Sequence, residues 1–472
     1  MVNIFIFHRD FRLYDNSSLI SQIKKTNEAI IPIFIFDPIQ IDKNKNKYFS
    51  NNSVQFMIES LKDLQKQIQK YDGQLYFFYG KTIDVLKEIH DKINISSIAF
   101  NFDYTPFAKK RTSTIEKWCK INKIQLIVEE DYPLYNILDG QTLKKNNTPY
   151  LVYSPFLKFT KTLNVSKPNN FSKFKFQINK KLLDLKYFHN NLDKFYNFNV
   201  NLNVNGGRDK CLNILNNMTK FKNYQKNRDN LMYKTTFLSA YIHYNVCSIR
   251  EIYYEIIRQL GKESGLIREL VFRDFYMNIV HYFPHTLEGQ ITKKGNKSFK
   301  SEYDAIQWNI SKSLLDKWKK GLTGFPVVDA GMRQMNSTGF MHNRCRMITS
   351  NFLVKDLQID WRMGEKYFAQ TLQDYDPINN SSGWQWSTGN GTDAQPYFRI
   401  FNPWTQQKNH DKDCEYIKTW IPELKNVSPN DIHNWFDESV RNKYSNIKYP
   451  VPIVDHSYER QKILNLYKKY LK

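Results

Sequence analysis

Five short apolar runs within the first 130 residues, VNIFIF, AIIPIFIF, GQLYFFYG, SSIAFNF and IQLIVEE, restrict what this chain can fold into more than any other feature. They are β-branched or aromatic and flanked by turn residues, which is how buried parallel strands read. Between them, segments such as Val54 to Tyr71 repeat apolar positions at the helical period. Strands alternating with helices predict a doubly wound parallel sheet, an α/β domain over residues 1–130. No GxGxxG follows the first run, so the sequence gives no support for a dinucleotide site there.

From 131 to 205 the periodicity dissolves into Asn-, Lys- and Phe-rich sequence, read as an interdomain linker with limited structure of its own. Over 206–472 helical patterns dominate, as in SIREIYYEIIRQL and GLIRELVFRDFYMNIVHYF, and predict an all-α domain. A chain of 472 residues is long enough for two or three domains. Eight of nine tryptophans lie at or after Trp308, which directs the search for chemistry to the helical part.

The five cysteines are scattered, without CxxC or Cys/His clusters, and the histidines do not fall at ligand spacing. That argues against a disulfide framework and against any metal site. No apolar run reaches membrane-spanning length, and the start lacks a basic leader and cleavage site. An intracellular, soluble protein of cytoplasm or nucleus is expected, with no membrane partner. The net charge of +23 suits a polyanionic partner. An AT-rich coding bias toward Lys, Asn and Ile explains the same excess, and charge alone does not choose DNA over RNA.

Asn379 to Pro403, NNSSGWQWSTGNGTDAQPYFRIFNP, sets Trp384 and Trp386 two residues apart among polar neighbours. Tryptophans so placed suit base stacking, electron transfer or packing beside a planar cofactor; plain core packing is the alternative. The segment resembles the flavin-binding signature of the DNA photolyase/cryptochrome family. Further matches follow in the family's order: FHRDFRLYDNSSL with Arg12, Asp15 and Asn16; PYLVYSPFLK; TGFPVVDAGMRQMNSTGFMHNRCRMITSNFLVKDLQIDWRMGEKYF; and YPVPIVDH. The resemblance covers nearly the whole chain and implies FAD as cofactor and light-driven DNA repair as activity.

By that resemblance TTFLSAYI, from Thr235 and Thr236 through Phe237 and Leu238 to Ser239, opens a helix and holds the FAD pyrophosphate. Hydroxyls and helix-start amides make a sensible anion cradle; ordinary N-capping by Thr is the competing reading. Lys234, Phe237 and Ala240 replace the family's common Gly, Arg and Pro. Tyr224 and Arg273 are further cofactor contacts by match. Arg346 pairs with Asp374 beside the isoalloxazine, followed by Tyr375 and Asp376, and Asn343 touches both cofactor and lesion. Asn380 aligns with the residue facing flavin N5, with Asn379 as a rival because serines replace the usual glycines after it. Trp384, Trp361 and Trp318 match the relay that carries an electron from the surface inward.

For the substrate, Glu269 matches the carboxylate that hydrogen-bonds a flipped pyrimidine pair. Asn343 and Met347 match the pocket of cyclobutane-dimer enzymes, whereas (6-4) enzymes carry a paired-His motif there. Trp386 stacks on one base, with Phe272 where a second tryptophan is usual, and Leu266 replaces another. Arg228, Arg344 and Lys408 contact phosphates at the rim. Asn101, Asp103 and Tyr104 lie in the region of a possible second, antenna chromophore of folate, deazaflavin or flavin type. The resemblance implies class I-type repair of cyclobutane pyrimidine dimers in UV-damaged DNA by a monomer. A cryptochrome photoreceptor and a (6-4) photolyase are the rivals.

Overall fold

The computed structural model describes residues 1–290 and 295–470. Its five strands are β1 (Val2–Phe7), β2 (Ile30–Phe36), β3 (Tyr76–Tyr79), β4 (Ile95–Asn101) and β5 (Gln125–Glu129). All pair in parallel, in the order β3-β2-β1-β4-β5. Each predicted apolar run supplies one strand, because a central parallel strand is covered on both faces and needs apolar residues throughout. Every residue of β1 and β2 is buried. Helices α1 (Ser17–Thr26), α2 (Asn51–Gln69), α3 (Thr82–Ile93) and α4 (Pro106–Ile121) make the crossovers.

The expected linker is mostly irregular, but it does structural work. Its backbone extends the sheet: Ile30 exchanges hydrogen bonds with Lys175 and Gln177, and Tyr79 N donates to Tyr187 O at 2.8 Å while His189 N donates to Phe77 O at 2.8 Å. The open side of edge strand β3 is thereby covered, which blocks strand-to-strand association between molecules. Earlier in the same segment, α5 (Tyr153–Thr160) packs Tyr153 and Phe156 against Phe275 of the helical domain.

Seven further helices position the site: α6 (Ser239–His243), α7 (Ile249–Leu260), α8 (Gly265–Tyr282), α9 (Pro326–Thr338), α10 (Asn343–Asn351), α11 (Trp361–Thr371) and α12 (Pro377–Thr388). The two domains are joined by buried ion pairs from the opening signature. Arg12 meets Asp131 at 2.6 Å, and Arg250 of α7 meets Asp15 at 2.8 Å and Asp131 at 2.9 Å. Burial opposes charge on Asp131, yet Arg12 and Arg250 hold its carboxyl well below the usual carboxylate range. Arg12 and Asp15 therefore act at the domain seam, while Asn16 caps α1 within the α/β domain. No helix among the described residues is long and apolar enough to cross a membrane, and no cluster of His, Cys, Asp or Glu among them could hold a metal ion.

Candidate functional site

The Trp384/Trp386 segment is helical despite its Asn, Ser and Gly content. Asp376 caps α12 by accepting from Asn379 N at 2.9 Å, Pro377 occupies the first turn, and Gly389 ends the helix in the left-handed region at φ 100°. Residues two apart on a helix point about 200° apart, so one indole faces inward and the other outward. Trp384 is buried, and Trp386 is half-buried.

Around Trp384 the packing is aromatic. Its ring centroid lies 4.9 Å from Phe368 and 6.1 Å from Trp318, and its Nε1 has no partner among the described residues. Gly364 of α11 lies against the indole: a Cβ there would stand 2.1 Å from Cη2 of Trp384. Gly364→Ala is therefore expected to displace Trp384 and destabilise the fold by about 1–3 kcal/mol, read as a lower denaturation midpoint with altered indole fluorescence.

Trp318 corrects one expectation. It is fully buried, stacked on Phe368 at 6.0 Å, so a relay cannot reach solvent directly through it. Trp361 is likewise buried. The half-buried Trp308 packs on the same core. Asn309 N donates to Gln358 O at 2.7 Å, which ties that segment to the strand-like entry into Trp361. Sequence reading missed Trp308 because partial exposure is a tertiary property.

Arg346 Nη2 donates to both oxygens of Asp374, at 2.9 and 3.1 Å, while its Nε donates to Met341 O at 2.9 Å. The Asp374 side chain is 3% exposed and that of Arg346 26%, so the guanidinium reaches the surface of the site rather than being wholly enclosed. Asp376 turns the other way, to His243 at 3.2 Å and Arg9 at 3.6 Å. Although burial pushes upward, His243 and Arg9 hold its carboxyl well below the usual range. Arg273 is buried at the seam, donating to Tyr132 O at 2.7 Å.

Asn380 donates through Nδ2 to Oε1 and the backbone oxygen of Glu365, both at 3.0 Å. Burial raises the Glu365 carboxyl to about 8, and its Oε2 has no partner among the described residues. A neutral acid thus holds the Asn380 amide by its nitrogen and leaves the carbonyl end for another partner. Glu365 gave no signal in the sequence: an acidic residue on an amphipathic helix reads as solvated.

Thr235, Thr236 and Phe237 are half-buried, Leu238 is buried and Ser239 exposed. No side chain caps α6, so the threonine hydroxyls are not spent as N-caps; Thr236 Oγ1 only accepts a long 3.4 Å bond from Leu238 N. Phe237 takes φ 53°, the left-handed region that non-glycine residues seldom enter.

Among the residues expected to meet the substrate, Glu269 of α8 is ion-paired with Arg228, whose guanidinium lies 5.8 Å from the Tyr224 ring centroid. Arg344 is paired with Asp229 at 2.7 Å. Asn343 is exposed at the start of α10 and Met347 half-buried one turn on. His342 caps that helix, accepting from Arg344 N at 3.2 Å; burial lowers it to about 4, keeping it neutral. Phe272 packs on Tyr153 at 4.3 Å, so two smaller rings occupy the wall where one large one was expected. Lys408 is exposed, on the helix Pro403–His410.

A separate open cleft of about 1200 Å³, solvent at its mouth included, lies at the carboxyl ends of β1, β2 and β4. It is lined by His8, Arg9, Phe34, Tyr48, Asp103 and Phe107 of the α/β domain and by His243 and Tyr375 of the helical domain. This is the topological switch point of the sheet, where doubly wound folds place ligands. Of the residues expected near a second chromophore only Asp103 lines it, bonded to Arg9 at 2.6 Å. Asn101 bonds Asp10 and Asn16, and Tyr104 bonds Glu130.

A doubly wound domain with a switch-point cleft, joined to a helical domain with a fixed Arg–Asp pair and an aromatic interior, defines the architecture of photolyases and cryptochromes. Residues 3–172 match the family model of DNA photolyase, and residues 266–469 that of the FAD binding domain of DNA photolyase. A deoxyribodipyrimidine photo-lyase from Alkalihalophilus pseudofirmus is 35% identical over 98% of this chain and 97% of its own. An archaeal photolyase from Sulfolobus tokodaii, whose crystal structure holds two FAD molecules, is 34% identical and superposes with a TM-score of 0.86 over 99% of this chain and 100% of that one. A Synechocystis cryptochrome, 24% identical with a TM-score of 0.86 over 98% and 99% of the two chains, shares the fold. The chain belongs to the DNA photolyase family.

Proposed function

We propose that this protein is a light-driven deoxyribodipyrimidine photo-lyase that splits cyclobutane pyrimidine dimers in UV-damaged DNA, acting as a monomer. The observation that carries the reading is α12, which turns Trp384 into the core and leaves Trp386, about 200° round the helix, half-buried on the opposite side. The residues present fit FAD: an uncapped helix start with unspent threonine hydroxyls, a fixed Arg346–Asp374 pair, and an Asn380 amide held by one end only. FAD, when bound, supplies the light-driven single-electron reduction that opens the cyclobutane ring.

The chain's own residues do the rest. Thr235, Thr236 and Ser239 with Tyr224 hold the pyrophosphate side; Arg346 and Asp374 fix charge beside the ring system; Asn380 presents its amide to it. Trp386, Phe272 and Met347 form an apolar wall for an extruded base pair, which must leave the duplex to be reached. Glu269 bonds its polar edges, and Arg228, Arg344 and Lys408 meet phosphates. Trp384 and Trp361, with Trp308 as the exit to solvent, relay electrons inward. The switch-point cleft takes a second, light-harvesting chromophore.

Duplexes carrying one cyclobutane thymine dimer or one (6-4) photoproduct, incubated with reduced holo-protein under blue light, test the reading. Restored thymines from the dimer alone are expected; no light-dependent restoration would sink it. Trp386→Ala is expected to weaken dimer-duplex binding by about 1–3 kcal/mol, the worth of one base-stacking ring, with flavin content unchanged. Parent-like binding removes the stacking role.

A further inference from the structure

Arg228 and Asp229 are neighbours at the end of the short helix Tyr224–Asn227, and each reaches a different helix. Arg228 donates to Glu269 of α8, while Asp229 accepts from Arg344 Nε at 3.2 Å and Nη2 at 2.7 Å on α10. The side chains are 30% and 42% exposed in the first pair, 17% and 48% in the second, so DNA reaches both. The two arginines read as phosphate contacts are therefore each neutralised by a carboxylate in the free protein.

We propose that these pairs are a charge latch that ties backbone engagement to lesion engagement. The proposal rests on the reading above, in which Glu269 bonds an extruded dimer. Phosphate contacts give affinity without discriminating damaged from undamaged DNA. Arg228 gains a phosphate only by leaving Glu269, and an undamaged duplex offers Glu269 nothing in return, only the repulsion of nearby phosphates. An extruded dimer presents polar edges to Glu269, so the exchange there leaves its carboxylate hydrogen-bonded rather than bare. Exposed ion pairs are weak, so the specific complex opens the latch easily, while the bias against every undamaged site persists. Asp229 likewise holds Arg344 away from phosphate, without a lesion contact of its own. The latch makes the rim selective without reading sequence.

The test uses full-length, FAD-loaded protein in the dark, with matched duplexes with and without one cyclobutane dimer, titrated over a range of salt. Asp229→Asn is expected to tighten binding to undamaged duplex by about two- to fivefold, the worth of an exposed pair, and to steepen its log K against log salt slope by about 0.9, one phosphate gained. Arg228→Gln is expected to weaken dimer duplex and lower its slope by about the same 0.9, and to weaken undamaged duplex less, through the repulsion of the stranded Glu269 alone. Flavin content and melting temperature report that both variants fold. Equal losses on both duplexes in Arg228→Gln, or no gain for undamaged duplex in Asp229→Asn, overturn the latch while the repair reading stands. A parent protein that neither prefers nor repairs the dimer sinks the repair reading and the latch with it.

Discussion

Trp384→Phe abolishes light-driven reduction of oxidised, bound flavin while leaving dimer repair by chemically reduced protein intact. This is the largest functional effect expected of any single substitution here. Trp384 sits in a dry aromatic interior against Phe368, Trp318 and Gly364, with no hydrogen-bond partner for its Nε1 among the described residues. Phenylalanine keeps an apolar ring but is far harder to oxidise, so the inward electron route loses its first station. Flavin absorbance under blue light with a thiol donor reads the loss. Trp308→Phe should give the same phenotype, because Trp308 is the indole of this core cluster read as the exit to solvent. Parent-like photoreduction in Trp384→Phe removes the route altogether.

Arg346→Met strips the protein of FAD and destabilises it. Asp374, 3% exposed, would be left as an unpaired buried carboxylate. Breaking such a pair costs about 3–5 kcal/mol, and the 26% exposure of Arg346 places the loss toward the lower end. Flavin retained through purification and the denaturation midpoint are the two measurements. Adding Asp374→Asn should restore much of the stability, since the stranded charge is gone, without restoring the flavin. A double variant that regained both would make the pair a structural support only. Arg346 thus has two separable roles, and the pair of variants divides them.

Much of the site was legible one residue at a time. Arg346 and Asp374 meet as the motif implied, and Asn380 is distinguished from Asn379 by what each bonds: Asn379 serves the α12 cap, Asn380 reaches Glu365. Trp318 was misread because a buried and an exposed indole are identical as letters. Glu365 and Tyr153 were passed over for the same kind of reason. One is an acid whose burial comes from helices distant in sequence, the other a linker aromatic that completes a wall begun on α8. The cleft at the sheet's switch point had no glycine fingerprint to announce it; it is made by loops after β1, β2 and β4 and closed by His243 and Tyr375.

Local chemistry written along the chain settled the elements. Unbroken apolar runs such as those of β1 and β2 can only be covered on both faces, so they make the centre of a parallel sheet, and an Asp-Pro start with a Gly stop makes α12 a helix whatever lies between. The motifs and their order likewise carried the family and its cofactor. Which groups lose water was decided by tertiary structure alone. Burial joins residues tens to hundreds of positions apart, such as Arg12 with Asp131, Arg250 with Asp15, and Gly364 with Trp384. Desolvation is what turns a carboxyl neutral or shuts an indole into a dry interior. It depends on every neighbour at once, and no single stretch of sequence contains it.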